Sequence, residues 1–171
     1  MPSINLDDLT TNNLGVFKKI FGVTLPIEYS EDWYANSFDS DQIVKLAFYS
    51  ELPVGAMKAK LLNIESFQGN FDNFNTSKLV SKSIPNAVYL ETLSVLESYR
   101  NLGIGEKLLN YLIEETTKRF VHEIIIHVHV ENTKAIDWYK KHGFVEKELL
   151  KDYYKSKGLT NPDAYILSLK V

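Results

Sequence analysis

The segment from Arg100 to Gly105 has the spacing R-x-x-G-x-G and lies between strand-forming residues and an amphipathic helical pattern. Glycines at positions 103 and 105 let backbone N–H groups approach a ligand without a side chain in the way. The start of the following helix adds positive potential, and Arg100 adds a charged donor. These residues therefore predict a binding site for a pyrophosphate.

Two other phosphate-binding motifs fit this loop poorly. A Walker loop needs Lys and then Ser or Thr after its last glycine, whereas Glu106 and Lys107 follow Gly105. A dinucleotide fingerprint needs a third small residue where Leu108 stands. The alternative that the glycines only turn a strand into a helix stays open, although Arg100 favours ligand binding.

Phenol and imidazole groups occur on two predicted strands. In the strand 123–130, His127 shares one face with another imidazole, and the opposite face is wholly apolar. In the strand 88–95, Tyr89 and Glu91 share a face. If the strands are neighbours, Tyr89 and His127 meet across a cleft and can relay a proton. By residue type alone, each is more often a structural residue.

Metal-binding and thiol chemistry are not predicted. His127 and His129 alternate on one strand without a convincing third ligand, and His122 and His142 lie in different contexts. The chain has no cysteine, which excludes cysteine nucleophiles, thiolate metal sites and disulfides. The absence of a disulfide framework also favours a reducing compartment.

Two helices are predicted near the start of the chain. Apolar residues at helical spacing indicate one over residues 12–21, and a second is indicated over residues 30–38 with Ser30 as its cap. The apolar loop between them contains Pro26, which restricts Leu25 to extended geometry. Its composition fits a core plug or a binding wall, and favours the plug.

A hairpin and a parallel crossover unit are predicted to follow. Residues 43–49 and 54–62 indicate two antiparallel strands. The polar stretch 63–86 is longer than an ordinary loop and predicts a surface excursion. From Ala87 the pattern alternates strand, helix, strand and helix, as in parallel α/β units, with further strand candidates after residue 143.

Bulk composition indicates one ordinary globular domain over residues 1–171. Hydrophobic residues make up 44% of the chain and charged residues 24%, and the net charge is −3. That charge gives no broad attraction to nucleic acid or to an anionic membrane. The first residues are not those of a signal peptide, and no stretch is as apolar as a membrane span, so we expect a cytoplasmic or nuclear protein.

The two motifs together carry a family resemblance. Arg100, Gly103 and Gly105 meet the pattern R/Q-x-x-G-x-G/A, and Asn132 to Tyr139 meets N-x-x-A-x-x-x-Y. Over nearly its whole length the chain resembles the GNAT acetyltransferases. The resemblance implies an α/β (α+β) fold with a mixed sheet of about seven strands and about four helices. It also implies acetyl-CoA as the cosubstrate, without a metal.

Roles in cofactor binding follow from this resemblance. The backbone of the strand at Leu93 and Val95 would bind the pantetheine arm, and the loop with the helix start would hold the pyrophosphate. Asn132 would approach the cofactor arm, and Tyr139 would protonate the leaving thiolate. By residue type alone, Asn132 is a helix cap and Tyr139 a core aromatic. The predicted cofactor-binding residues are Leu93, Val95, Arg100, Asn101, Leu102, Gly103, Ile104, Gly105, Glu106, Asn132 and Tyr139.

A finer resemblance concerns the acceptor amine. The runs Y-L-E-T-L-S-V-L-E-S-Y-R-N-L-G-I-G, H-V-H-V-E-N-T-K-A-I-D-W-Y and K-D-Y-Y resemble the NatE-type catalytic subunits of N-terminal acetyltransferases. This implies that Tyr89 and His127 are the catalytic residues and act as a general base through ordered water. An alpha-amino group, with a pKa of about 7.7 to 8.0 against about 10.4 for lysine, needs only a modest base.

Peptide contacts are also implied by resemblance. The segment 25–29 resembles a Phe-Pro-Val-x-Tyr pattern that grips the first peptide residues, which favours the binding wall over the plug. Paired tyrosines on an opposite loop complete a clamp. The sequence departs from the pattern at Leu25, which replaces an aromatic, and at Glu91, which replaces an apolar residue and is a candidate auxiliary base. The predicted peptide-binding residues are Leu25, Pro26, Ile27, Tyr29, Tyr153 and Tyr154.

The same resemblance implies a substrate and partners. The substrate would be a protein N-terminus with Met followed by an apolar residue. The partners would be the auxiliary subunit and the catalytic partner of the NatA complex, with ribosome association through that complex. Two alternatives stay open: acetylation of a lysine or small amine, and a noncatalytic acetyl-CoA-binding scaffold subunit of an N-terminal acetyltransferase complex.

Overall fold

The computed structural model describes residues 2–25, 28–64, 84–150 and 163–171, with the side chain of Leu150 left out. Seven strands form one mixed sheet in the order β1-β2-β3-β4-β5-β7-β6. No helix in these ranges is long and apolar enough to cross a membrane. In chain order the elements are β1 (Ile4–Asp7), α1 (Leu14–Thr24), α2 (Glu31–Ala35), β2 (Gln42–Tyr49), β3 (Leu52–Leu62), β4 (Ala87–Val95), α3 (Ile104–Lys118), β5 (Glu123–His129), α4 (Thr133–Lys141), β6 (Val145–Leu150) and β7 (Ala164–Lys170).

Helix α1 is confirmed, although it begins and ends later than the pattern predicts. Asn13 holds the segment before it in a turn, since its Oδ1 accepts from the Thr10 N–H and its Nδ2 donates to the Asp8 carbonyl. Helical geometry therefore starts only at Leu14. At the other end, Leu25 takes the extended conformation that the following proline imposes.

Helix α2 is capped as the sequence predicts. The Ser30 Oγ accepts from the Trp33 N–H at 3.2 Å, and two acidic residues lie in the first turn, where they complement the helix dipole. A 3-10 turn over Asn36–Phe38 continues the helix. The second predicted helix is therefore confirmed, with its last turn tightened.

The predicted hairpin is confirmed as the antiparallel pair β2 and β3, with a register shift between Ala47 and Phe48. Strand β1 pairs antiparallel with β2. This strand was not predicted, because four residues with alternating partial burial give too short a pattern to stand out.

The parallel strand pairing that the sequence predicts for the crossover unit is confirmed. Strands β4 and β5 pair in parallel at Val88, Tyr89 and Leu90, the last of which faces Ile126. Strand β7 pairs antiparallel with both β5 and β6. The strand candidate over residues 144–154 appears as β6 over Val145–Leu150, and residues 151–154 lie outside the described ranges.

By internal contacts the chain divides into two compact units. Unit 1 comprises Met1–Lys60 and Glu91–Glu115, and unit 2 comprises Leu61–Leu90 and Thr116–Val171. The prediction of one domain over 1–171 stays a prediction. Unit 1 has an aromatic core in which rings meet edge to face. Its buried members are Phe17, Ile20, Phe21, Trp33, Tyr34, Leu46 and Ala56.

Unit 2 contains a smaller core cluster formed by Leu62, Ala87, Tyr89 and Ile125. Within this unit, hydrogen bonds close the base of the predicted excursion 63–86. The Asn63 Nδ2 donates to the Ile84 carbonyl, and the Asn86 N–H donates to the Leu62 carbonyl. Residues 65–83 of the excursion lie outside the described ranges.

Candidate functional site

The glycine loop of unit 1 has the backbone geometry of an anion-binding loop. Strand β4 leads into a 3-10 turn over Glu97–Tyr99, after which Asn101 and Gly103 both take positive φ values, 65° and 85°. Asn tolerates this left-handed region better than most residues, and Gly enters it without strain. Successive turns of this kind direct backbone N–H groups toward one side, where an anion can bind.

The start of α3 supplies further donors. The first N–H groups of a helix have no acceptor within the helix and form its positive end. A Cβ built on Gly103 meets no atom within 4 Å, so there is open space beside the loop. The side chain of Ile104 is buried in the core, so only its backbone is available to a ligand. The loop therefore fits a pyrophosphate through backbone groups.

Gly55 on β3 lets the chain pack closely behind the helix start. A Cβ at this position would lie 3.1 Å from the Ser94 carbonyl oxygen and 3.3 Å from Cγ2 of Ile104. The Leu96 N–H donates to the Val54 carbonyl at 2.8 Å, which fixes the end of β4 against β3. A glycine on β3 thus helps to position the loop, a role the sequence analysis missed.

Arg100 makes a hydrogen bond within the protein, in addition to the phosphate contact that is predicted for it. Its Nε donates to the Val95 carbonyl at 2.9 Å, so the side chain folds back along the strand that precedes the loop. This bond does not use the terminal nitrogens of the guanidinium, which the predicted phosphate contact requires. The Val95 carbonyl oxygen has a second lone pair, so this bond does not rule out the predicted pantetheine contact.

The other predicted residues of this region lie where backbone contacts are feasible. Leu93 is half-buried on β4, Leu102 is exposed, and Gly105 is half-buried in the first turn of α3. Glu106 is exposed in the same turn, where its carboxylate complements the helix dipole. Their roles in cofactor binding stay predictions.

Tyr89 and His127 meet, as the sequence predicts. The Tyr89 hydroxyl lies 2.6 Å from Nδ1 of His127, and both side chains are buried in unit 2. Parallel pairing sets this contact, because Tyr89 lies opposite Ile125 in the register, two residues before His127. In the tautomer that carries its proton on Nε2, the imidazole accepts from the hydroxyl through Nδ1.

Burial keeps His127 neutral. Desolvation lowers the pKa of His127 from 6.5 to about 3. The imidazole is therefore uncharged throughout the neutral pH range and can accept a proton. A pKa of about 3 also makes the imidazole of His127 a weak base, so it would hold a proton only in passing. This behaviour suits a relay.

Asn132 and Tyr139 have the structural roles that their residue types suggest. Asn132 is the cap of α4, where its Oδ1 accepts from the Ala135 N–H at 3.3 Å. Tyr139 is buried and packs edge-on against Trp138 and Phe144. Burial raises the pKa of Tyr139 well above its usual range, so its hydroxyl stays protonated and can donate a hydrogen bond. Their cofactor contacts stay predictions.

The first inter-helix loop packs on the aromatic core of unit 1. Leu25 and Tyr29 are partly buried against it, and Tyr29 stacks on Trp33 with centroids 3.8 Å apart and an interplanar angle of 12°. The two described ends of the loop thus pack into the core, as its composition predicts. Pro26, Ile27, Tyr153 and Tyr154 lie outside the described residues.

Glu91 belongs to a buried charged cluster, which sequence reasoning missed apart from Glu91 itself. Its carboxylate accepts from Nζ of Lys58 at 2.9 Å and pairs with Nζ of Lys60 at 3.6 Å. These two ion pairs already engage the carboxylate, and its role as an auxiliary base stays a prediction. The signal was present in the sequence: Lys58 and Lys60 alternate on an otherwise apolar strand and could pair with a carboxylate on an apolar face.

In the part of the chain that the structure describes, no group of three or more His, Asp or Glu residues is placed to hold a metal ion. The four histidines lie at separate places, and the most buried of them contacts a phenol instead. Among the described residues, the candidate groups for chemistry are the glycine loop, the Tyr89–His127 pair and Tyr139.

Comparison with known proteins agrees with these features. The profile described as "Acetyltransferase (GNAT) family" matches residues 17–144. The chain is 31% identical to N-alpha-acetyltransferase 50 of Danio rerio over 165 residues, which cover 96% of this chain and 86% of that protein.

Solved structures give the same relationship. Arabidopsis thaliana Naa50 in complex with the bisubstrate analogue CoA-Ac-MVNAL has a TM-score of 0.78 and 30% identity over 97% of both chains. Arabidopsis thaliana NAA60 in complex with a bisubstrate analogue, at 22% identity, shares the fold with a TM-score of 0.78 over 99% of both chains. With the family profile matched across most of its length, the chain belongs to the GNAT acetyltransferase family.

Proposed function

We propose that this protein transfers the acetyl group of acetyl-CoA to the alpha-amino group of peptide N-termini. The observation that carries the proposal is the 2.6 Å contact between the Tyr89 hydroxyl and Nδ1 of His127 in a buried, neutral pair. Relatedness to N-alpha-acetyltransferase 50 over 96% of the chain supports the same reaction.

The glycine loop fits the donor. Acetyl-CoA supplies an activated acetyl thioester when it is bound. The backbone N–H groups around Gly103 and the start of α3 would hold its pyrophosphate, with the terminal nitrogens of Arg100 as charged donors. The strand backbone at Leu93 and Val95 would bind the pantetheine arm. This assignment uses backbone groups, so Ile104 would serve through its backbone although its side chain is buried.

The Tyr89–His127 pair would accept the proton that the amine loses. An alpha-amino group has a pKa of about 7.7 to 8.0, so a considerable fraction is already neutral at physiological pH. The Tyr89 hydroxyl would take the proton, through ordered water, as it gives its own to Nδ1 of His127. Neutral His127 has a lone pair on Nδ1 for this proton, and because the pKa of His127 is about 3 the imidazolium would release the proton to solvent.

Tyr139 would act on the leaving group, the thiolate of coenzyme A. Its phenol keeps its proton because burial raises the pKa of the hydroxyl. The same shift makes the phenol a weaker acid than an ordinary tyrosine, so Tyr139 would donate a hydrogen bond to the leaving thiolate. Separate groups would thus accept the proton of the amine and stabilise the leaving thiolate.

Peptide specificity and partners form the finer part of the proposal. The analogue bound to Arabidopsis thaliana Naa50, CoA-Ac-MVNAL, contains a peptide sequence that begins with Met and an apolar residue. We propose the same preference here, with Leu25, Tyr29 and the paired tyrosines at 153 and 154 as its contacts. Docking on the auxiliary subunit of the NatA complex, in the cytoplasm, is proposed from resemblance. Co-elution with that purified subunit supports docking, and separate elution contradicts it.

The test is the rate of coenzyme A release from acetyl-CoA with matched acceptors. One peptide begins with free Met-Leu and has arginine in place of lysine. The second has a blocked N-terminus and one internal lysine, and a polyamine is the third acceptor. Turnover confined to the first acceptor is expected. Faster turnover with the second or third would replace the proposal by lysine or small-amine acetylation, and acetyl-CoA binding without any turnover would favour a scaffold.

A further inference from the structure

The buried charged cluster of unit 1 centres on Lys58. Its Nζ donates to the Glu91 carboxylate at 2.9 Å, to Oδ1 of Asn36 at 2.7 Å and to Oε1 of Gln42 at 2.5 Å. The side chain of Lys58 is fully buried, and that of Glu91 is 4% exposed. These three acceptors match the three N–H donors of an ammonium group and so fix its position.

A buried ion pair is not in itself evidence that the fold needs charge at this place. Burial lowers the pKa of Lys58, and the neighbouring Glu91 opposes that shift only in part. Apolar side chains of similar volume often serve a protein interior as well as a buried ion pair does. A fully bonded ammonium, however, has one geometry, which makes it an accurate support for whatever touches it.

The group that touches it is an aromatic stack. The Nζ of Lys58 lies over the ring of Trp33, 4.7 Å from its centroid. Tyr29 stacks on the same indole at 3.8 Å. The Ser30 cap fixes the backbone of Trp33 between these contacts. A continuous series of contacts thus links Glu91 and Lys58 to Tyr29.

We propose that Lys58 is a positioning residue for peptide binding: its ammonium, held by Glu91, Asn36 and Gln42, fixes the indole of Trp33 and through it the ring of Tyr29. The inference rests on the proposed function, which puts Tyr29 at the first residues of the peptide. It adds a residue of β3 that contacts neither substrate. Its effect is on peptide affinity and not on the chemical step.

The decisive variant is Lys58→Met, which keeps the length and apolar stem of the side chain and removes the ammonium. Glu91 then keeps its ion pair with Lys60, so no carboxylate is left without a cation. We expect the peptide KM to rise about tenfold, which corresponds to about 1.4 kcal/mol. The peptide-saturated kcat and the KM for acetyl-CoA should stay within about twofold of the wild type.

Lys45→Met is the matched control. Lys45 also belongs to unit 1, pairs with Asp8 and lies 4.7 Å from the centroid of the Tyr111 ring. The substitution therefore removes an ion pair and a ring contact at the same distance, without touching Trp33. We expect an unchanged peptide KM. A rise equal to that of Lys58→Met would overturn the inference, because it would show a general effect of losing a buried cation.

Two further variants test the inference in case Lys58→Met does not fold. Glu91→Gln removes the counter-charge while keeping the shape, and we expect the peptide KM to rise in the same direction. Lys58→Arg keeps a cation beside Trp33, and we expect it to recover most of the affinity that Lys58→Met loses. If Lys58→Met does not fold, the peptide KM and the kcat of Glu91→Gln decide the question in its place.

Two further results overturn the inference. One is a peptide KM that stays within about twofold of the wild type in folded Lys58→Met. The other is a fall in kcat at constant KM, which indicates a smaller folded fraction and a merely structural lysine. Failure of the proposed function looks different, because the wild-type chain itself would then show no turnover with the free N-terminus.

Discussion

The Tyr89–His127 pair of unit 2 and the Lys58–Glu91–Lys60 cluster of unit 1 are both buried polar groups, but they differ in charge and in bonding. The pair is uncharged in the neutral pH range because desolvation holds His127 neutral. The cluster is ionic, with Glu91 between two lysines and Lys58 bonded to three acceptors.

This difference matches the two tasks that we assign to them. A proton relay needs groups that gain and lose a proton, and a nearby fixed charge would hold them in one state. A residue that holds a neighbouring ring in place needs a single bonding arrangement. Charge-assisted hydrogen bonds provide it. The contrast therefore predicts that substitutions in the pair affect catalysis and that substitutions in the cluster affect peptide affinity.

The largest expected effect comes from removing the relay. Tyr89→Phe deletes only the hydroxyl, and His127→Ala deletes the acceptor. Each should lower kcat/KM for a free N-terminus by about 10²- to 10³-fold, the usual share of general acid–base catalysis. Steady-state kinetics measure this fall in kcat/KM. The KM for acetyl-CoA should stay unchanged. His129→Ala, two residues along the same strand, is the control and should stay near wild type.

A second prediction concerns stability at low pH. The folded-state pKa of His127, about 3, is below its unfolded value of about 6.5, so the unfolded chain binds more protons between these values. Stability must therefore fall as the pH drops through that window. His127 alone should contribute a loss of about 2 kcal/mol between pH 7.5 and pH 5.

Urea unfolding at the two pH values measures this loss. In His127→Asn the difference between pH 7.5 and pH 5 should be smaller than in the wild type by about 2 kcal/mol. Equal pH dependence in both proteins would mean that the imidazole is not desolvated, and the contrast between a neutral pair and a charged cluster would be lost.

A smaller effect is expected from Gly55→Ala, which tests the rigidity of unit 1 behind the glycine loop. The new Cβ would lie 3.1 Å from the Ser94 carbonyl oxygen, a backbone atom of the sheet that cannot move aside easily. We expect a loss of about 1 to 2 kcal/mol in the free energy of unfolding and a higher KM for acetyl-CoA. Thermal unfolding and titration with acetyl-CoA give both values, and Gly22→Ala, with open space around its Cβ, is the control.

Much of the fold could be predicted because its strands and helices have clear periodicity. The hairpin, the Ser30 cap and the parallel pairing of β4 with β5 all follow from local pattern and connection rules. The contact between Tyr89 and His127 was predictable as well, since strand alternation fixes the faces and the pairing supplies the rest.

The remainder depends on tertiary contacts that one sequence does not encode locally. Two lysines on an apolar strand indicate a buried pairing, but the sequence does not show that Lys58 bonds Glu91, Asn36 and Gln42. The start of α1 moved to Leu14 because the side chain of Asn13 bonds backward to Asp8 and Thr10 instead of capping the helix.

The most direct test of the central claim uses one peptide that has both a free Met-Leu N-terminus and an internal lysine. After reaction with acetyl-CoA, tandem mass spectrometry locates the acetyl group. Wild-type protein should label the alpha-amine alone, and Tyr89→Phe should reduce that labelling by about 10²-fold or more. Acetyl on the lysine side chain, or equal labelling by the wild type and Tyr89→Phe, would contradict the account.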